Sequence, residues 1–425
     1  MMATLRMGDR FLYFVLLWCL CSYKVLLGGV GEAGLRVDDL LLASAFVLLL
    51  VRGDLRQVPR SAALRAYLWF LAVNLLSALW NGWRGRVPAL YGLLFTARLA
   101  EYLLFYAMGW VLITRGAKLW RSFRWYFYAL CVVVPLQTLG VLKVASQFGA
   151  SRASGNTNGP YELAVVAALF LCVFGYQERK KLSTLAAVAL LVMTASRITF
   201  IGTALDWLVR SVSRSRSKAR ALAMVAALLL AAVGVNAWVQ SRPAASENPD
   251  SLDNRLKSSS SSLSVHEMKD LWDAVPVYSA EEDYYQGAFL DAGDFALATD
   301  NDTSGMIRAY RWASLVKSTV HHLDSMVIGL GPSFGSAAVD GYYVRVFIET
   351  GVAGLIAFLL FLRALLRPHD KINDAFREFV FIVLVTGCFI DIFASYKTML
   401  LLWTWHGVNE ACREMKGREI NKRCA

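Results

Sequence analysis

Long apolar runs alternate with short basic clusters along most of the chain, and a long polar stretch between residues 241 and 340 breaks the pattern. A helix needs about 20 mostly apolar residues to cross the hydrocarbon core of a membrane, because only a helix satisfies its own backbone where water is absent. By that rule twelve spans are expected, starting near residues 10, 38, 65, 88, 124, 161, 182, 198, 220, 341, 376 and 395. The first, Phe11 to Val30, reads as a retained span, since its Tyr23-Lys24 interruption carries no small-residue cleavage pattern. The expected fold class is an all-α polytopic membrane protein of about 12 transmembrane helices with one large, partly helical outer loop. Residues 1–240 would hold spans one to nine and 241–340 the extracytoplasmic (periplasmic) loop. Residues 341–412 would hold the last three spans and 413–425 a basic cytoplasmic tail. No internal repeat of solenoid period is visible.

Charge orients this picture. Arg6 and Arg10 precede the first span; Arg52, Arg56 and Arg60 follow the second; Arg115, Lys118 and Arg121 the fourth; Arg179, Lys180 and Lys181 the sixth. Arg210 to Arg220 follow the eighth, Arg363, Arg367 and Lys371 the tenth, and Lys416 to Arg423 close the chain. Every even gap is basic, so both termini are expected in the cytoplasm, with Arg84 and Arg86 as the exception on the outer side. Ser241 to Ser325 holds 14 acidic against 7 basic residues, which suits an outer segment. Within it the serine run Ser258 to Ser262 suits a flexible linker, and Trp272, Tyr284, Tyr285, Phe289, Phe295 and Trp312 suit a partly folded lid.

Composition narrows the classes. The chain is 57% hydrophobic and 18% charged, too apolar for a water-soluble enzyme and too charged for a bundle of spans alone. None of its seven cysteines lies in the polar stretch, so neither a disulfide framework nor a thiolate metal site holds that stretch together. The net charge of +12 is distributed in clusters between apolar runs, which reports topology, so no nucleic-acid partner is expected.

Charges inside a span cost about 2.5 to 3.5 kcal/mol each on insertion scales, so each needs a partner or a purpose. Arg98 and Glu101 share a helix face, as a self-neutralising pair or as a polar wall of a cavity. Arg345 and Glu349, near the outer end of the tenth span, can pair in the same way. Arg197 lies in a short outward turn, where it either snorkels to the interface or grips a diphosphate bidentately. Arg308 and Arg311 follow the capping pattern Asp302-Thr303-Ser304 and face one way, as solvated charges or at the level of a lipid phosphate. Gly329, Gly331, Pro332 and Gly335 make a tight turn that lets backbone approach a ligand. Asp340 is the foremost carboxylate to accept a proton from an attacking hydroxyl, while Tyr342 and Tyr343 read first as interfacial belt residues. The adjacent His321 and His322 diverge on a helix, so no metal site is expected there. Asp391 and Lys397 are lesser polar candidates.

Taken together, three motifs in order resemble a known family. They are Arg152-Ala153-Ser154-Gly155 running to Asn158-Gly159-Pro160, then Ala195-Ser196-Arg197, then Arg308-x-x-x-Trp312 with Gly329-x-Gly331 and Asp340 through Glu349-x-Gly351-x-x-Gly354. Over roughly residues 150 to 365 the pattern resembles the O-antigen polymerase and O-antigen ligase superfamily of bacterial membrane glycosyltransferases, which have GT-C-like architecture. The resemblance implies a multi-pass protein of the bacterial plasma (inner) membrane and an undecaprenyl-diphosphate-linked oligosaccharide as substrate. It further implies the lipid bilayer and a chain-length regulator or export complex as partners. Arg197 and Arg308 match positions implicated in binding the diphosphate, with Arg311 either substituting for Arg308 or assisting it; Asp340 and Glu349 are the candidate catalytic carboxylates. Arg98, Glu101, Arg152, Tyr342 and Arg345 are the candidate cavity lining, and neither metal nor cofactor is implied. Asp340-Gly341 stands where the ligase branch usually carries histidine, which favours a polysaccharide polymerase over a ligase; a lipid-linked sugar transporter is the reading from another class.

Overall fold

The computed structural model describes residues 5–23, 26–28, 35–142, 153–194, 196–214, 265–287, 303–335, 339–367 and 374–424. The described chain is helical apart from a minimal antiparallel pairing of β1 (Leu26–Gly28) with β2 (Leu35–Arg36). The helices are α1 (Met7–Cys21), α2 (Val37–Val51), the single turn α3 (Asp54–Gln57), α4 (Ala62–Trp83), α5 (Ala89–Thr114) and α6 (Leu119–Thr138). Then come α7 (Pro160–Cys172), which runs on as a π-helix over Val173–Glu178, α8 (Lys181–Met193) and α9 (Arg197–Arg214). The polar stretch contributes α10 (Val265–Ala274), α11 (Glu281–Gln286), α12 (Thr303–His321) and α13 (Leu323–Ile328). The chain finishes with α14 (Tyr342–Leu366), α15 (Asp374–Gly387) and α16 (Tyr396–Cys424).

Helices begin within a turn or two of every expected span start except the one near residue 220, which lies outside the described residues. Among the described residues three helices are long and apolar enough to cross a membrane: Ala62–Trp83, Pro160–Glu178 and Tyr342–Leu366. They mark the chain as a membrane-associated helical protein. Length explains part of the difference from twelve. α1 and α2 have 15 residues each, about 22 Å at 1.5 Å per residue, short of a core about 30 Å thick. α5 is longer, but Arg98 and Glu101 lower its apolarity.

The core forms where α4, α5, α14 and α16 meet. Trp403 of α16 is fully buried, stacked on Phe361 at 5.5 Å, edge-on to Tyr67 at 4.9 Å and close to Tyr106 at 5.9 Å. α5 and α16 approach through Gly109 and Gly407, where a Cβ on either would strike the partner helix's backbone; without a side chain the two helices can touch directly. Helix starts carry their own reasons. The Ser61 hydroxyl accepts from the Leu64 N–H at 3.1 Å to cap α4, and Pro160 occupies the first turn of α7, where its missing N–H costs nothing.

Polar contacts sort the helix ends into two layers. At one end, Arg52 pairs with Asp9 at 2.7 Å and Asp54 at 3.3 Å, Arg115 bridges the same two carboxylates, and Arg124 and Lys180 meet at Glu178. We call this the tail end, since the Arg413–Glu410 pair of α16 belongs to it. The opposite, loop end carries the polar stretch, whose helices have a small core of their own. Leu271, Val275, Tyr278, Tyr284, Tyr310, Leu315, Phe334 and Val339 pack there with Ile348 of α14.

Candidate functional site

The loop end is organised by a break in α14. At Gly351 the backbone turns to φ 65°, ψ −164°, a conformation essentially reserved for glycine. Among the described residues no other position inside a helix has a positive φ. An uninterrupted helix would bond the carbonyls of Ile348 and Glu349 to N–H groups four residues on. Other groups take over here: Leu330 N–H donates to the Ile348 carbonyl at 2.7 Å, and Gly331 N–H to the Glu349 carbonyl at 3.2 Å. The Ser77 hydroxyl of α4 also donates to Glu349 O, at 2.7 Å, and the Asn81 amide donates to the Gly329 carbonyl at 3.2 Å. A Cβ on Gly329 would run into the Glu349–Thr350 peptide, and one on Gly351 into the Val327–Ile328 peptide. The glycine turn expected to approach a ligand thus leans on the broken helix.

Arg345 sits one turn before Glu349 and is held on two sides. Its guanidinium donates to Glu349 Oε1 at 3.0 Å and to Asp391 Oδ2 at 2.8 Å, with only 5% of the side chain exposed. Glu349 Oε1 also accepts from Ser333 N–H at 3.3 Å, and Asp391 Oδ1 from Gly341 N–H at 3.2 Å. The triad therefore ties α14, the glycine turn and the segment before α16 together. Tyr342 is buried between Phe358 (5.1 Å) and Phe393 (5.3 Å), so its place is in the core beneath the interface.

Above the triad lies a more open pair. Arg308 Nε donates to Asp340 Oδ2 at 3.1 Å, with side chains 32% and 44% exposed. Asp340 has φ 51°, and Trp312 Nε1 donates to the neighbouring Val339 carbonyl at 2.5 Å, fixing where the strained residue points. The small core of the polar stretch has an aromatic wall that is closed to solvent: Tyr284 stacks on Phe334 at 6.0 Å and meets Tyr278 edge-on at 5.5 Å. Burial pushes the Tyr284 phenol up to about 12, against the pull of the Arg311 and Arg345 guanidiniums, which places both arginines within electrostatic reach of that wall. Of the other expected lid aromatics, Trp312 is half-buried, Trp272 and Tyr285 are exposed, and Phe289 and Phe295 lie outside the described residues.

Two carboxylates rim this layer with opposite tendencies. Burial raises Glu281 to about 7, only partly offset by the Ser333 hydroxyl 3.5 Å away. Burial would raise Asp324 as well, but the hydrogen bond and charge of Arg86 hold it at about 2. Arg86 lies 3.1 Å and Arg84 3.2 Å from Asp324. The two arginines that broke the charge pattern thus share one carboxylate from far along the chain.

The remaining candidates are spread around the same end. Arg98 reaches Asp39 of α2 at 3.8 Å, and Glu101 is half-buried in the same group with Arg36 and Asp38. The segment from Ser154 to Pro160 is braced from several sides: Gln137 pairs with the Gly155 peptide, and Tyr126 donates to Asn156 at 2.8 Å. Glu162 accepts from Asn158 N–H at 2.9 Å, from Lys397 N–H at 2.7 Å and from the Ser395 hydroxyl at 2.5 Å. Lys397 Nζ donates to the carbonyls of Ser22 at 2.9 Å and Asn156 at 2.6 Å. Arg152 and the side chain of Arg197 lie outside what is described, although Arg197 opens α9. His321 and His322 meet ring to ring at 4.7 Å. Sequence reasoning missed Ser77, Asn81, Glu162, Glu281 and Ser333. Only the four-residue spacing of Ser77 and Asn81 on one face of an apolar helix was available as a signal.

The fold and this cluster define a class: a helical, membrane-associated protein with layered arginine–carboxylate pairs around a broken helix. Comparison of the sequence with protein-family models and with curated proteins finds no match.

Proposed function

We propose that the chain is a metal-independent polysaccharide polymerase that works at the loop end, outside the bacterial plasma membrane, as a multi-pass protein of about twelve spans with both termini in the cytoplasm. The sorting of polar contacts into two layers supports this topology: residues 9, 52, 54 and 115 meet at one end, and 81, 86, 324, 341 and 391 at the other. A single observation carries the chemical reading. A solvent-accessible Arg308–Asp340 pair adjoins a buried, fixed Arg345–Glu349–Asp391 triad, to which Gly341, the residue after Asp340, is tied by its N–H on Asp391.

In the proposed reaction a hydroxyl oxygen of one lipid-linked repeat unit attacks the anomeric carbon of a glycan carried on undecaprenyl diphosphate. The new glycosidic C–O bond forms, the bond from that carbon to the diphosphate oxygen breaks, and undecaprenyl diphosphate leaves with the electron pair. The leaving group is good already, so the protein must mainly neutralise its growing charge and position the acceptor. Arg308, with Arg311 and Arg197, does the first, which is why no metal is required. Asp340 takes the hydroxyl proton, since it is the more exposed carboxylate; Glu349, enclosed by Arg345 and the Ser333 N–H, positions Arg345. Docking of the diphosphate on Arg308 would draw that guanidinium from Asp340 and leave the carboxylate free to act as base.

The test replaces Arg308 by Ala in the native strain and separates the extracted polysaccharide on a gel. Chains should collapse toward single repeat units; unchanged lengths at normal protein abundance would sink the reading. Full-length glycan retained on undecaprenyl diphosphate in a deletion strain would point to a ligase passing glycan to lipid A core or protein. The break at Gly351 favours a third reading, since transporters bind substrates at discontinuous helices. Purified protein that moves lipid-linked sugar across liposomes without lengthening it would establish that reading.

A further inference from the structure

At the tail end, α4 and α14 part to leave a groove of about 230 Å³ lined by Ala62, Ala66, Leu360, Arg363, Ala364 and Arg367. The spacing explains both the gap and its chemistry. Residues 360, 363 and 364 share one face of α14 with Arg367 just past its end, and Ala62 and Ala66 share one face of α4, so three alanines leave space that larger side chains would fill while two arginines stand at the rim. Arg363 and Arg367 are exposed, and among the described residues neither has an ion-pair partner. Arg60, just before Ala62, and Arg65, beside Ala66, are exposed as well, so four arginines gather near this mouth.

The groove continues into apolar surface. Val352, Ile356, Leu359 and Leu360 of α14 are 40%, 53%, 48% and 52% exposed, a strip that leads from the arginines along the helix. A ligand matching the whole feature has an anionic head and a long apolar tail. A free phosphate would use the arginines and leave the groove and strip empty; an uncharged lipid would use the strip and leave the arginines unpaired.

We propose that this groove binds one anionic phospholipid, its acyl chain against Ala66, Leu360 and Ala364 and its phosphate on Arg363 and Arg367. Basic recesses between membrane helices are suited to such headgroups, each nearby cation adding to the attraction. The site lies at the opposite end of the bundle from the proposed reaction centre and stands independently of the polymerase reading.

Native mass spectrometry of the full-length protein in detergent tests it, with phosphatidylglycerol, phosphatidylcholine of the same chains, and inorganic phosphate as probes. The natural chain should hold phosphatidylglycerol on the order of 10-fold more tightly than phosphatidylcholine. Arg363→Gln with Arg367→Gln should abolish that preference, weakening phosphatidylglycerol more than phosphatidylcholine, whose phosphate is offset by its choline; both positions are exposed, so the fold should survive, as an unaltered unfolding midpoint would verify. Ala364→Leu, which fills the groove, should weaken both lipids. Equal retention of the two lipids by the natural chain, or undiminished preference in the double variant, would overturn the proposal. Displacement of phosphatidylglycerol by inorganic phosphate at matching concentrations would also overturn it, because the chain would then contribute nothing.

Discussion

Arg308–Asp340 and Arg345–Glu349–Asp391 use the same chemistry within one corner of the molecule, yet their surroundings give them different work. The first pair is about a third to a half exposed, and exposed ion pairs contribute about 0 to 1 kcal/mol, so either partner can be exchanged cheaply for a ligand. The triad is almost fully enclosed, and removing one member of a buried pair costs about 3 to 5 kcal/mol because a charge is left without a partner. One arginine is available and the other is fixed. What separates them is cover: the glycine turn, α4 and the segment before α16 close over Arg345 and stop short of Arg308.

Substitutions at five positions can break or sharpen that contrast. The largest effect is expected from Arg345→Met, which strands the buried Glu349 and the half-buried Asp391 and should lower stability by about 3 to 5 kcal/mol, read from chemical unfolding in detergent. A loss below about 1 kcal/mol would put Arg345 in the same class as Arg308. Next is Gly351→Ala, where the backbone conformation alone costs about 1 to 3 kcal/mol and the new methyl strikes the Val327 peptide. Faster hydrogen exchange at the Leu330 and Gly331 amides would show the glycine turn coming away from α14. Arg308→Ala should cost no more than about 1 kcal/mol of stability while shortening the polysaccharide, with Arg308→Lys restoring part of the length. Stability and chain length falling together would show that Arg308 is structural after all.

The smallest effect is a pH dependence in the rim. Glu281 has a folded value of about 7, above an ordinary value of about 4.3, so the folded chain binds its proton more tightly than the unfolded chain. Its contribution is complete below about pH 4 and is lost as pH rises through about 7. Glu281→Gln should therefore raise the unfolding midpoint at pH 8 and leave it nearly unchanged at pH 4. Asp324, held at about 2, has the opposite sign: its stabilisation is present above about pH 4 and is lost as pH falls toward 2. Asp324→Asn should flatten the acid limb of the curve and leave the neutral region's slope as it was.

The helices were legible because the signals that start them are local. Apolar runs, Ser61 before α4 and Pro160 at the head of α7 can all be read within a few residues. Arg345 and Glu349 were legible as partners for the same reason, being one helical turn apart. Asp391 was noted only as a lesser candidate, because its link to Arg345 depends on how the segment before α16 folds back against α14. Arg84 and Arg86 looked like exceptions for as long as Asp324, some 240 residues away, could not be placed beside them. The glycine turn was noticed as a place where backbone can approach a ligand; that its N–H groups replace those missing at the Gly351 break could not be read, since nothing local says that a helix will be broken there.

By itself the sequence determined that this chain is helical, apolar enough for a membrane, and supplied with arginines and carboxylates near the end of its polar stretch, because hydrophobic period and charge are properties of neighbours along the chain. Which arginine is enclosed and which stays open was decided only by tertiary packing. The worth of an ion pair depends on the dielectric around it, and that is set by residues hundreds of positions apart coming together.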